Sequence, residues 1–303
     1  MTEIVANIFI VIAIGWLFRK YNLVGEDAEK AFNQYLFYLA LPALTVIKII
    51  STNFSGLGAA FIALNIAPIL FLMAVSLLLW KTGAVDWKLA RLLVIVSAMG
   101  NTVYLGFPIV AMRLGQEQIG CAAIVSSIQN VIIFTFGFYF TNLICAGRCQ
   151  ASSFKRLIGR NTVLWSSVTG IVISLLSLPI PAIAMDIMES IGKTTLPLAL
   201  FTIGISLYGK SVSGNIRKLS LIAGMKLFAL PLFCLLPAYL LDFKGGAARV
   251  VYLEMCMPVA VLNFVIAKEF DFDADLVSQS IIFTTLVFFP LLYLYDWVMT
   301  LAL

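Results

Sequence analysis

The chain has 303 residues, 62% of them hydrophobic and only 12% charged, with a mean hydropathy of +1.04 and a formal net charge of +5. These values lie far outside those of a water-soluble globular domain and place the chain in a bilayer. Histidine is absent, so proton chemistry falls to carboxylates, lysine or tyrosine.

Apolar runs recur from end to end with no long polar block, and the sequence reads as one transmembrane domain over 1–303. The first run, 4–18, lacks a basic leader and a small-residue cleavage site, and reads as a first span rather than a removable signal. A helix needs roughly 20 apolar residues to cross the hydrocarbon. Nine further spans follow on that rule, at about 32–50, 57–80, 90–112, 119–144, 162–180, 186–209, 219–241, 247–267 and 276–301. The expected fold class is therefore an all-α membrane protein with ten transmembrane helices.

Fourteen of the basic residues fall in the connections on one side of this arrangement. They include Arg19, Lys20, Lys81, Lys88, Arg156 and Lys218; the other side has five, and Lys226 lies inside a span. By the positive-inside rule the richer side is cytoplasmic and both termini lie outside. The net positive charge follows from this bias and implies no nucleic-acid partner. The stretch CAGRCQASSFKRLIGRN, 145–161, becomes a cytoplasmic link between two five-span repeats, 1–144 and 162–303. An odd number of spans on each side makes these halves an inverted repeat. LALPAL at 39–44 is echoed by TTLPLAL at 194–200, which pairs Pro42 with Pro197.

The fourth span carries GNTVYLGFPI at 100–109, and the ninth carries MPVAVLN at 257–263. Proline removes an amide donor and glycine lowers the cost of unwinding, so both helices are expected to break. Breaks survive at membrane depth only where protein or water covers the freed backbone groups. In secondary transporters such paired breaks form the binding site, with half-helix ends and unwound carbonyls facing the cargo. A proline kink packed against neighbours is the alternative for either span taken alone. Asn101, Thr102, Tyr104, Pro108, Pro258 and Asn263 are the substrate-binding candidates at the breaks.

Polar residues deep in other spans complete the set, because an intramembrane ionisable group is expensive to keep there. Gln129 and Asn130 sit about ten residues into the fifth span and face either substrate or another helix. Lys226, roughly eight residues inside the eighth span, either offsets a substrate carboxylate, pairs with a protein carboxylate, or snorkels to the interface. Glu254, just before the second break, is a candidate for ion coupling, with an ion pair or a wetted vestibule as the alternatives. Asn65 and Pro68 line the same cavity or simply pack. Glu189 and Lys193 suit an i,i+4 surface pair. Ser278, Ser280, Thr284 and Thr285 read as packing residues with hydroxyls bonded back to the helix.

GNTVYLGFPI resembles the Gly-Asn-Thr-x-x-Leu-Gly-x-Pro signature of the auxin efflux carrier family, whose bacterial members include malate and malonate permeases. LPAL at 41–44, SIQNVIIFTFG at 127–137, MKLFALPL at 225–232 and MPVAVLNFVIAKEF at 257–270 resemble its other landmarks, in order. The long cytoplasmic loop of the plant plasma-membrane members is missing, as in compact prokaryotic members. The resemblance implies crossed fourth and ninth helices and an elevator-like movement of spans 3–5 and 8–10 against spans 1, 2, 6 and 7. It also implies a homodimer formed through the latter set.

The function expected is a secondary transporter of a small organic anion, such as a dicarboxylate or an auxin-like weak acid, in the cytoplasmic membrane. The partners expected are that anion, membrane lipid and a coupled proton or sodium ion. A sodium/proton antiporter is the alternative within transport, although residues 119–144 contain no acid. A non-transporting receptor is the alternative outside it. An enzyme is not expected, for no catalytic motif is present. Cys145 and Cys149 form a C-x3-C with no partner pair, and neither a metal nor a cofactor is expected.

Overall fold

The computed structural model describes residues 2–52, 57–145, 159, 161–209, 216–269 and 272–303. Among the described residues every regular element is helical and none is a strand. In chain order the helices are α1 (Thr2–Lys20), α2 (Asp27–Ile50), α3 (Ala59–Lys81), α4 (Trp87–Val96), α5 (Phe107–Leu114) and α6 (Gln116–Ile144). Then come α7 (Thr162–Leu175), α8 (Ala182–Leu207), α9 (Ile216–Leu240), α10 (Gly246–Cys256), α11 (Leu262–Glu269) and α12 (Ala274–Ala302). Six of them, α2, α3, α6, α8, α9 and α12, are long and apolar enough to cross a membrane. The four remaining expected spans fall on α1, on the shorter α7, and on the pairs α4/α5 and α10/α11, each interrupted in the middle.

Local chemistry explains where boundaries depart from expectation. Helix α7 stops at Leu175 rather than near 180 because Ser177 takes a left-handed φ of 49° and Pro179 and Pro181 follow. Pro181 then caps α8, which begins four residues earlier than expected. Widened π-turns occur at Leu36–Ala40, Thr102–Gly106, Ile133–Gly137 and Gly224–Ala229. Three of these precede Pro42, Pro108 and Pro231. A proline offers no N–H to the carbonyl one turn back and crowds it, and a wider turn relieves that clash.

The chain divides into two compact units. Unit one comprises 1–54, 103–127 and 161–210. One close contact in it is the crossing of α1 with α8, where a Cβ on Gly15 would run into the Phe201 carbonyl and one on Gly204 into the Ile12 carbonyl. Small residues let two backbones touch in this way, which is how helices associate where lipid removes the hydrophobic drive. Trp16 against Tyr208, with ring centroids 5.7 Å apart, and Phe18 against Phe201, 5.4 Å apart, flank the crossing edge to face. The Ser127 hydroxyl donates to that of Ser167 at 2.8 Å, and the expected surface pair forms with Lys193 Nζ 3.1 Å from Glu189.

Unit two comprises 55–102, 128–160 and 211–303. Phe71 and Phe233 pack α3 on α9 with centroids 3.9 Å apart, and Gly137 leaves room for the side chains of Ile95 and Met73. Pro231 cannot donate to the carbonyl of Leu227, and the Tyr295 hydroxyl of α12 donates to that oxygen at 2.6 Å. Asp86 and Asp273 cap α4 and α12, each side chain accepting from the backbone three residues on. Between these caps, Arg91 is buried with its guanidinium 4.8 Å from the Phe272 ring centroid and 5.6 Å from that of Trp87. Most of the expected link at 145–161, Cys149 included, lies outside the described residues.

Candidate functional site

The two interrupted helices meet inside unit two. After α4, Ser97 and Met99 still donate to Leu93 and Ile95, and the helical pattern then stops at Gly100. After α10, Met257 donates to Glu254 at 3.4 Å and the chain runs extended through Pro258 and Val259 before α11 begins. Gly100 and Val259 form an isolated antiparallel bridge. Asn101 N–H donates to the Pro258 carbonyl at 2.7 Å, and Ala260 N–H donates to the Met99 carbonyl at 3.0 Å. Each break thus satisfies backbone groups that the other has released.

Two side chains hold this bridge from outside. Asn263 donates its amide to the Met99 carbonyl at 3.1 Å, giving that oxygen a second donor, while its own carbonyl oxygen is buried without a partner. Val259 N–H donates to the Thr284 hydroxyl at 3.1 Å, and that hydroxyl donates in turn to the Ser280 carbonyl at 2.7 Å. Thr284 was legible in the sequence only as a back-bonded packing residue, which it also is. The part that sequence reasoning missed is its second role as an acceptor for the break, because a hydroxyl in an apolar helix carries no mark of its distant partner. Ser280 and Thr285 bond back to their own helix as expected.

Charge gathers at the same place. Lys226 lies in the π-turn of α9 with no exposed surface, and its ammonium is 3.4 Å from the Met255 carbonyl. It therefore does not snorkel: its head group ends in the protein interior, beside the last turn of α10. Gly100 makes room for it, since a Cβ there would sit 2.8 Å from Nζ and 3.2 Å from Cε. Glu254, one residue before Met255, is equally buried, and neither carboxyl oxygen has a hydrogen-bond partner. Gln129 approaches the Met255 sulfur at 3.8 Å, and Asn130 beside it is 8% exposed.

Of the expected site residues, the structure thus brings Asn101, Pro258, Asn263, Lys226, Glu254 and Gln129 to the paired breaks. Thr102 follows directly and is buried. Tyr104 and Pro108 fall in unit one, Tyr104 half-buried within the π-turn and Pro108 at the start of α5. Asn65 is buried in α3, its amide donating to the Phe61 carbonyl at 2.9 Å one turn back and its oxygen without a partner. Chemically the cluster offers side-chain amides, the C-terminal ends of α4 and α10, the N-terminal end of α11, and a buried ammonium and carboxyl, groups of both polarities for a charged cargo.

Compared with known families, residues 1–295 match the family described as membrane transport protein. A transporter of Methanothermobacter thermautotrophicus is 25% identical over 296 residues, 94% of either chain. Auxin efflux carrier component 1 of Arabidopsis thaliana is 27% identical over 147 residues, 46% of this chain and 24% of its own. A Rhizobium meliloti protein provisionally named a malonate transporter is 23% identical over 303 residues, 95% of this chain and 92% of its own.

Proposed function

Starting from the fact that this chain belongs to the auxin efflux carrier family of membrane transport proteins, we propose that it carries a small organic anion across the cytoplasmic membrane by alternating access. The cargo is a dicarboxylate or an auxin-like weak acid, bound at the paired breaks by the amides of Asn101 and Asn263, the neighbouring Thr102, Gln129 and Asn130, and the half-helix ends. The observation that carries this reading is the reciprocal bonding of the breaks around buried polar groups, the arrangement in which carriers place their binding sites.

In the full proposal ten spans form two inverted five-helix repeats, with both termini outside and two copies assembled as a dimer. The α4/α5 and α10/α11 pairs count as the fourth spans of the two repeats. The division of the chain supports an elevator-type movement: unit two gathers most of the segments assigned to the moving set, while 103–127 groups with the scaffold segments.

The test is uptake and counterflow of labelled malate, malonate and indole-3-acetate in proteoliposomes, comparing wild type with Asn101→Ala. Saturable flux lost in a folded Asn101→Ala protein is the expected result. Flux of equal size in both proteins would sink the assignment of the breaks as the binding site.

A further inference from the structure

Unwound carbonyls and the C-terminal end of a half-helix attract a cation, and in many carriers a diffusible ion answers that demand. Here a side chain already stands there. The Lys226 ammonium lies beside the last turn of α10, against the Met255 carbonyl and in the space that Gly100 leaves open. Glu254, the residue before Met255 in α10, is fully buried with both carboxyl oxygens unpartnered, and its charge acts on Lys226 without a direct hydrogen bond. Among the described residues Lys226 and Glu254 are the charged residues with no exposed surface; the buried Arg91 retains 8%. A buried charge costs several kcal/mol unless an opposite charge or a proton neutralises it.

Resting on the carrier reading above, we propose that Lys226 and Glu254 are a built-in coupling pair, with the lysine as a tethered cation in place of sodium and the glutamate carrying one proton with each anion. In the empty site the ammonium and the carboxylate cancel. When an anion binds, Glu254 takes a proton from water on that side, and the ammonium balances the cargo instead. The proton leaves Glu254 to water on the far side as the anion departs. For a monoanion the site has no net charge in either state, so neither crossing exposes an uncompensated charge to the hydrocarbon or to the membrane potential. A dicarboxylate leaves one negative charge over, and its uptake then responds to potential.

The other titratable group in electrostatic contact with the pair is Cys256 of α10, beside Lys226; Tyr252 of α10, Cys234 of α9 and Tyr295 of α12 interact with that thiol. Free thiols ionise at about pH 8.5 and phenols at about pH 10, above the carboxylate range. The segment 97–101 and the neighbouring Gln129 and Asn130 contribute no titratable group.

Two kinds of measurement test the pair, the first without any cargo. Infrared difference spectra of the purified protein in lipid nanodiscs are recorded as the pH rises from about 5 to about 9, a range that starts above the ordinary ionisation of exposed carboxylates. Wild type is expected to lose a buried carboxylic-acid band, and Glu254→Gln to lack that band throughout. Lys226→Met is expected to show it without pH dependence. Coincident spectra of wild type and Glu254→Gln overturn the proposal. Because removing one member of a buried pair also weakens the fold, the double variant Lys226→Met/Glu254→Gln is melted beside the single variants. It is expected to recover much of their loss, and strictly additive losses overturn the pairing.

Proteoliposomes given labelled malonate, with the membrane potential clamped at zero, supply the second measurement. An acid-outside gradient of about one pH unit is expected to drive about tenfold accumulation, the equivalent of one proton per anion. Uptake remaining in Glu254→Gln is expected to ignore the gradient, and accumulation that persists there, or that requires sodium in wild type, overturns the proposal. Absence of malonate, malate and indole-3-acetate counterflow at equal pH counts against the carrier reading instead, and the infrared and melting results then decide the pair.

Discussion

Glycine serves opposite ends in the two units. At the α1/α8 crossing Gly15 and Gly204 let one backbone rest on another, with aromatic rings around them. At the paired breaks Gly100 leaves room for an ammonium, within a cluster where Glu254 and Asn263 hold buried oxygens without partners. The first arrangement is close-packed, and sliding one backbone on the other would lose many contacts at once. The second keeps polar groups short of partners, as a site that must accept and release cargo requires. Stability is therefore expected to reside in the crossing and transport in the breaks.

The largest effect is expected from Gly204→Leu, which forces a side chain into the Ile12 carbonyl. A loss on the order of 3 kcal/mol or more is expected in thermal melting of the detergent-solubilised protein. A variant that melts like wild type would break the comparison at its first term. Asn101→Ala comes next and in the opposite sense. It is expected to weaken anion uptake by about tenfold to a hundredfold, the worth of one hydrogen bond to a charged group. Its melting temperature is expected to change little, and a melting loss as large as that of Gly204→Leu would erase the distinction.

Thr284→Val removes the acceptor of Val259 N–H and is expected to cost about 1–3 kcal/mol, which Thr284→Ser restores. Equal melting of the two variants would show that the hydroxyl does not hold the break. Tyr295→Phe strips the Leu227 carbonyl of its donor and is expected to cost about 1 kcal/mol. A double-mutant cycle with Pro231→Ala sharpens this, since a restored backbone N–H makes the hydroxyl redundant, and additive losses would deny the link. Lys193→Ala, at an exposed i,i+4 pair, is expected to change melting by less than about 0.5 kcal/mol.

Both breaks were legible in the sequence because glycine and proline act on the backbone wherever they fall. Lys226, Glu254 and Gln129 were legible because polar groups deep in apolar runs are expensive. What stayed hidden depends on partners distant in the chain. Gly15 and Gly204 are isolated glycines in helical runs, and nothing local says that they face each other. Thr284 looks like its neighbours Ser280 and Thr285 until Val259 is seen beside it. The choice between snorkelling and burial for Lys226 also lay beyond the sequence, because it turns on the space left at Gly100. The six long apolar helices were readable from length and composition. The early end of α7 depended on the backbone of Ser177.

The bridge at Gly100 and Val259 is made by main-chain atoms alone, with N–H and C=O groups contributed by Met99, Asn101, Pro258 and Ala260. Those atoms are common to nearly every amino acid, so the clasp does not depend on which side chains surround it. Replacing Met99, Val259 or Ala260 by another residue of similar size leaves both bonds available, and only a proline at 101 or 260 deletes a donor outright. The frame is in that sense indifferent to vocabulary: the side chains that choose a cargo are free to be rewritten while the scaffold that presents them is inherited intact.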